Sequence, residues 1–67
     1  MTVWIGERVY PAHLRFADEL GAWAVEAGGL LFTTESIARQ RIRLCASSDI
    51  ERAALTAYGF GFTLDEA

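Results

Sequence analysis

The chain has 67 residues, 52% of them hydrophobic, and its six basic residues, all arginine, stand against nine acidic ones for a formal net charge of −3. This length leaves room for one domain with a thin core, and the acidic balance disfavours a protein that binds nucleic acid by neutralising phosphates. A single cysteine excludes an internal disulfide. With no secretion-signal pattern and no membrane-spanning run, the chain is expected to be cytoplasmic.

The chain begins with a predicted strand over Thr2 to Gly6, in which Val3 and Ile5 point to one side and Trp4 to the other. A second interpretation stays open at its end. Gly6-Glu7 could be the centre of a type II′ hairpin turn, and residues 8–10 would then form a short second strand.

A long amphipathic helix is predicted next, over residues 12–27. Pro11 suits the first turn of a helix, and Gly28-Gly29 provides the left-handed end that helices favour. The helical period places an apolar stripe on one side. It places three carboxylates, Asp18, Glu19 and Glu26, on the solvent side.

Two strands are predicted in the middle of the chain, over residues 30–34 and 41–46. Residues 35–40 between them fit either an extension of a hairpin or a turn of helix. The alternation in the second strand sets Ile42, Leu44 and Ala46 against Arg41, Arg43 and Cys45.

The clearest local signal is the capping box Ser48-x-x-Glu51, which predicts the start of a second helix that ends at Gly59. Its predicted buried stripe consists of Ile50, Ala54, Ala57 and Tyr58. A last strand over 60–64 and an acidic end over 65–67 follow.

The order strand, helix, strand, strand, helix, strand predicts the α+β class. It is the order of a ferredoxin-like βαββαβ two-layer sandwich, an antiparallel sheet with two helices on one face, built as a single domain over residues 1–67.

The residues that could carry catalysis are few and isolated. His13 has no visible acid–base or metal-ligand partner, and Cys45 has only arginines beside it to activate its thiol. Phosphate-binding glycine motifs are absent from the sequence. We therefore predict neither an enzyme nor a bound cofactor or metal.

Arg39, Arg41 and Arg43 form the one unusual charge pattern. At alternate positions of a strand they would share one sheet face, and Trp4 would share it too if Val3 and Ile5 point into the core. Guanidinium groups beside a tryptophan can bind carboxylates, phosphates or a stacked ring.

The segment Gly59-Phe60-Gly61-Phe62 resembles the centre of the RNP1 motif of RNA-recognition motif domains. In that family the motif lies on the third strand, ahead of the second helix, whereas here it follows the second predicted helix. The basic residue that opens the motif is replaced by Tyr58, so no RNA-binding role is assigned.

These observations predict a small, non-enzymatic interaction protein, an inhibitor or adaptor that occupies a surface of a larger protein, which could itself be a nucleic-acid-binding complex. Phage-encoded inhibitors such as anti-CRISPR proteins are of this type. Two surfaces are candidates: the acidic side with Asp18, Glu19 and Glu26, and the face with Trp4 and the arginines. The alternative is a dimeric ferredoxin-like regulatory domain that holds a small anion on the arginines. Neither reading involves direct contact with nucleic acid or with a membrane.

Overall fold

A computed structural model describes residues 1–64, and within them the chain forms six strands and two helices. The strands are β1 (Thr2–Ile5), β2 (Arg8–Ala17), β3 (Ala22–Ala27), β4 (Leu30–Phe32), β5 (Arg43–Ala46) and β6 (Thr63–Leu64). The helices are α1 (Thr34–Gln40) and α2 (Asp49–Ala57). The predicted acidic end, 65–67, lies outside the described residues.

The strands join in one mixed sheet with the order β4-β3-β2-β1-β5-β6. All neighbours are antiparallel except β5 and β6, which are parallel. The long strand β2 divides its pairing between two partners. Residues 8–11 pair with β1 and residues 12–17 pair with β3, so β2 connects the two halves of the sheet.

Two tight glycine turns join the first strands. The two-residue turn Gly6-Glu7 connects β1 to β2, with Gly6 at φ +63°, and this confirms the hairpin alternative raised by the sequence. Gly28 and Gly29, at φ +58° and +77°, form the turn between β3 and β4. They therefore reverse a strand and do not end a helix.

The prediction of a helix over 12–27 is wrong, because this segment is the β2–β3 hairpin. Its turn, residues 18–21, closes when the amides of Leu20 and Gly21 donate to the Ala17 carbonyl. The same residues also fit a period of two, with Leu14 and Phe16 opposite Val25 and Trp23 on one face. Cross-strand packing overrides the high helix propensity of the alanines here.

Helix α1 supports the helical alternative for residues 35–40. Thr33 and Ser36 cap its start reciprocally: the Ser36 amide donates to Thr33 Oγ1 and the Thr33 amide to Ser36 Oγ. At its end, the Ile42 amide donates to the Ile37 carbonyl and the Arg41 amide to the Ala38 carbonyl. This is the Schellman motif, and it puts Arg41 in the left-handed region at φ 56°.

Helix α2 ends in the same way, with Gly59 in the position that Arg41 occupies after α1. The Phe60 amide donates to the Leu55 carbonyl and the Gly59 amide to the Thr56 carbonyl. Gly59 has φ +81°. A left-handed conformation costs a residue with a Cβ about 1 kcal/mol, so α1 ends at a conformational cost that α2 avoids.

The core lies between the two helices and one face of the sheet. Each Schellman motif places two apolar side chains in the core: Ile37 and Ile42 at the end of α1, and Leu55 and Phe60 at the end of α2. The remaining buried members come from the strands: Val3, Val25, Ala27, Phe32, Leu44 and Ala46. Both helices thus cover the same face of the sheet.

The predicted buried stripe of α2 is displaced around the helix. Leu55 is fully buried, while Ile50 is 83% exposed and Ala57 is also exposed. The sequence places Ile50 inside because the 3.6-residue period alone does not select one side of a short helix. The Schellman motif around Gly59 selects the buried side, because its hydrogen bond brings Phe60 next to Leu55 and both side chains are buried in the core.

The α+β class is observed, with a six-strand mixed sheet and two helices within residues 1–64. The ferredoxin-like βαββαβ order is not confirmed, because the first predicted helix is a β-hairpin and the strand order differs. No helix among the described residues is long and apolar enough to cross a membrane.

The start of α2 extends the predicted capping box. Ser48 Oγ accepts from the Glu51 amide, but the Glu51 carboxylate accepts from the amide and hydroxyl of Ser47 and, at 2.6 Å, from the Met1 amino group. The Met1 amine, and next the Ser47 amide, lower the pKa of the Glu51 carboxyl from 4.5 to about 2. Glu51 thereby ties the start of the chain to α2.

Leu55→Ala tests the observed orientation of α2. We expect a loss of about 2–5 kcal/mol in the free energy of unfolding, because a fully buried leucine leaves a cavity. Ile50→Ala on the same helix is the control and should change it by less than about 0.5 kcal/mol. Urea unfolding of both variants measures the difference, and equal effects would contradict the orientation.

Acid unfolding tests the role of Glu51. A carboxyl whose pKa is lowered on folding stabilises the protein fully above its unfolded pKa near 4.5, and this contribution is lost as the pH falls toward 2. Glu51→Gln should therefore flatten the decline of stability between these pH values. Ser48→Ala, which removes a cap but no titrating group, should lower stability by about 1 kcal/mol at every pH. A Glu51→Gln profile that parallels the native one would rule out this role.

Candidate functional site

Three aromatic rings form a continuous exposed cluster, which we call the aromatic surface: Phe16, Trp23 and Tyr58. The Trp23 and Tyr58 rings are stacked, with centroids 4.2 Å apart and an interplanar angle of 18°. Phe16 meets Trp23 edge-on, with centroids 5.8 Å apart. Trp23 is 37% exposed, Tyr58 42% and Phe16 45%. Solvent therefore reaches all three rings although they pack on one another.

Three different elements position these rings. Phe16 on β2 and Trp23 on β3 are directly opposite in the hairpin register, on the helix side of the sheet. Tyr58 follows the last residue of α2, where its amide donates to the Ala54 carbonyl. The end of α2 thus brings a ring from the second half of the chain onto the β2–β3 hairpin.

The predicted acidic side of a helix does not exist, because Asp18, Glu19 and Glu26 lie on the hairpin. Glu26 on β3 accepts from Arg15 Nη2 at 3.1 Å and lies 3.0 Å from His13 Nε2, both on β2. Glu19 in the turn also contacts Arg15, at 3.4 Å. Two of the three carboxylates are therefore paired within the protein, and Asp18 is exposed in the turn.

Hydrogen bonding in this network shifts the pKa values of Arg15 and Glu19. Glu19 and Glu26 raise the pKa of Arg15 above its ordinary value. The backbone amide of Glu19 itself and the Arg15 guanidinium lower the pKa of the Glu19 carboxyl. The network lies on the sheet face opposite the helices, since its strand positions alternate with those of Leu14 and Phe16.

The predicted arginine ladder is only partly formed. Arg39 lies on α1 and contacts Glu35 at 3.8 Å, so it is not on a strand with the others. Arg43 on β5 is opposite Trp4 on β1, and its Cζ lies 5.0 Å from the Trp4 ring centroid. The prediction that Trp4 and Arg43 share one sheet face is therefore confirmed. Arg39 on α1 and Arg41 at the end of α1 both lie outside the strand, contrary to the prediction.

Arg41 and Arg43 line two grooves and take part in no ion pair within residues 1–64. The first, the tryptophan groove, has a volume of about 420 Å³ and also includes Trp4, Gly6 and Glu7. The second, the apolar groove, has a volume of about 470 Å³. Its apolar lining residues are Ile37, Ile42, Leu44, Phe60 and Phe62.

His13 and Cys45 lie on different strands and contact different neighbours. His13 faces Glu26 across the hairpin, on the side away from the core. Cys45 is buried, with its Sγ 3.3 Å from Thr63 Oγ1. Among residues 1–64 no group of three or more His, Cys, Asp or Glu side chains is arranged to hold a metal ion.

Sequence reasoning missed the aromatic surface. The period of the predicted helix over 12–27 puts Phe16 and Trp23 in its apolar stripe, and Tyr58 is predicted in the buried stripe of the second helix. The available signal was the alternation of Leu14 with Phe16 and of Trp23 with Val25, separated by a turn that ends in Gly21. The stacking on Tyr58 has no local signal, since it depends on where α2 ends.

Comparison with known protein families, curated proteins and solved structures finds no match to this chain. A function can therefore be inferred only from its own residues and their geometry.

Glu26→Gln tests whether the hairpin network serves the fold. The change removes the charge that Arg15 and His13 face, so we expect a small loss of stability that fades as salt screens the pair. Asp18→Asn, on a residue with no ion pair among residues 1–64, should leave stability unchanged. Unfolding both variants in low and high salt makes the comparison. A loss that persists in high salt would contradict an electrostatic origin.

Proposed function

We propose that this protein is a non-enzymatic interaction module, an inhibitor or adaptor, that occupies a surface of a larger protein through the aromatic surface. The observation that carries the proposal is the exposed Phe16–Trp23–Tyr58 stack. Tryptophan and tyrosine are the residues on which binding energy concentrates in protein interfaces.

The rings are held in place before binding. Phe16 and Trp23 are fixed by paired strands, and Tyr58 is fixed by the end of α2 and by its stack on Trp23. Rings that are already ordered lose little conformational entropy when a partner covers them. This order supports a binding role for the rings. It argues against the alternative that they are merely a loosely packed apolar edge of the core.

The surroundings of the rings favour a protein over a nucleic acid. Single-stranded nucleic acid binds where stacking rings adjoin free cations that follow the phosphates. The nearest arginine in sequence, Arg15, is bonded to Glu19 and Glu26 and lies on the opposite sheet face. The adjoining turn carries Asp18 and Glu19. We therefore expect an apolar partner surface with a neutral or basic rim.

The test is capture of a partner from a lysate of the native host or its target cell, after nuclease treatment, by tagged protein and by variants. Phe16→Ser with Tyr58→Ser should remove a stoichiometric protein partner from the captured material, because both rings are exposed and central to the stack. Ile50→Ser, a more exposed apolar residue on α2, is the matched control and should retain it.

Two results would contradict the proposal. Equal capture by the double variant, with its fold verified by circular dichroism, would mean that another surface makes the contact. A native protein that sediments as a dimer, and a double variant that sediments as a monomer, would mean that a second copy of the chain covers the rings.

A further inference from the structure

A second site, distinct from the aromatic surface and independent of the proposed function, lies where α1 meets β5. The apolar groove there is lined by side chains of Ile37, Ile42, Leu44, Phe60 and Phe62. Its volume of about 470 Å³ is within the range of small-molecule sites. The groove opens beside the first half of β5, because β6 pairs only with Cys45 and Ala46.

Two arginines are among the residues that line this groove. Arg41 and Arg43 are both exposed, and neither forms an ion pair in the part of the chain that the structure describes. Trp4 orients one of them, since the Arg43 guanidinium lies over its ring. A planar guanidinium fits a carboxylate with two parallel hydrogen bonds. The charge that complements this groove is therefore negative.

The backbone at Arg41 gives a further reason to assign a role to its side chain. Arg41 has φ 56° at the end of α1, where the equivalent residue after α2 is Gly59. Glycine adopts this conformation without steric cost, and arginine does not. Arg41 thus combines a strained backbone with a charge that has no ion-pair partner among residues 1–64, and such a combination is typical of a site where stability is exchanged for binding.

We propose that the apolar groove binds a small molecule that joins one carboxylate to an apolar body, such as a medium-chain fatty acid or an arylalkanoic acid. The carboxylate contacts Arg41 and Arg43, and the apolar body lies against Ile37, Ile42 and Phe62. Burial of the body and the charged hydrogen bonds each contribute, so neither part alone binds comparably.

The test is a ¹H–¹⁵N chemical-shift titration of the full chain with octanoate and with 3-phenylpropanoate. Acetate supplies the charge without the body, and octanamide supplies the body without the charge. We expect at least one of the two acids to shift the amides of Ile37, Ile42 and Phe62, with at least about tenfold weaker binding of acetate and octanamide. No shift with either acid at millimolar concentration, or equal binding of octanamide, would overturn the proposal.

Arg41→Gly is the decisive variant, because glycine adopts the left-handed conformation at this position without the steric cost that arginine has. We expect a higher urea midpoint together with at least about tenfold weaker binding of the acid that the native protein binds. Arg39→Ala, on the exposed side of α1, is the matched control and should bind that acid normally. Retained affinity in Arg41→Gly would overturn the assignment of the carboxylate.

Two comparisons separate this site from other readings. Arg41→Gly should capture a protein partner as the native chain does, so failure of one proposal leaves the other standing. The second comparison titrates the protein with a short peptide that ends in a leucine carboxylate. Tighter binding of this peptide than of either acid would overturn the small-molecule assignment in favour of a protein chain end.

Discussion

The divided pairing of β2 is the constraint on which the rest of the molecule depends. Its first four residues pair with β1 and its last six pair with β3. This single strand therefore joins the part of the sheet beside the grooves to the part that presents Phe16 and Trp23. Because side chains alternate, one register sets both faces of the hairpin. A slip of β2 by one residue would turn Phe16 to the other face of the sheet, away from Trp23 and Tyr58. Arg15 would then face the side of the sheet that Phe16 faces now.

The sequence predicts those elements of the fold whose signals are local. The Gly6-Glu7 turn and the capped start of α2 each depend on a few neighbouring residues, and the structure has both. Residues 12–27 satisfy two periods at once, and the contacts that favour strands lie outside this segment or its local pattern: β4 pairs with residues 25–27, and β1 pairs with residues 8–11 of the same strand β2. The aromatic surface could not be predicted, since Tyr58 reaches Trp23 through tertiary packing alone.

The two helix ends show how one fold can solve the same problem at two different costs. Both ends use the same pair of backbone hydrogen bonds and both send an apolar residue into the core. The left-handed residue after α2 is Gly59, whereas the one after α1 is Arg41, a charged residue that lines the apolar groove. Glycine stands at one helix end and arginine at the other, and the site that we propose at Arg41 rests in part on this difference.

The place of β1 between β2 and β5 has a consequence for how the chain matures during synthesis. The strands β1 to β4 form a meander of adjacent hairpins that is complete once residue 32 has been made, whereas β5 follows only after α1. Until then, the outer edge of β1 presents unpaired amides and carbonyls on a nascent chain, and Trp4 lies on this strand without Arg43 to cover it. Such an edge is a template for pairing with other chains. Only the ten residues 33–42 separate the end of β4 from the start of β5, so the strand that covers this edge follows closely in the sequence.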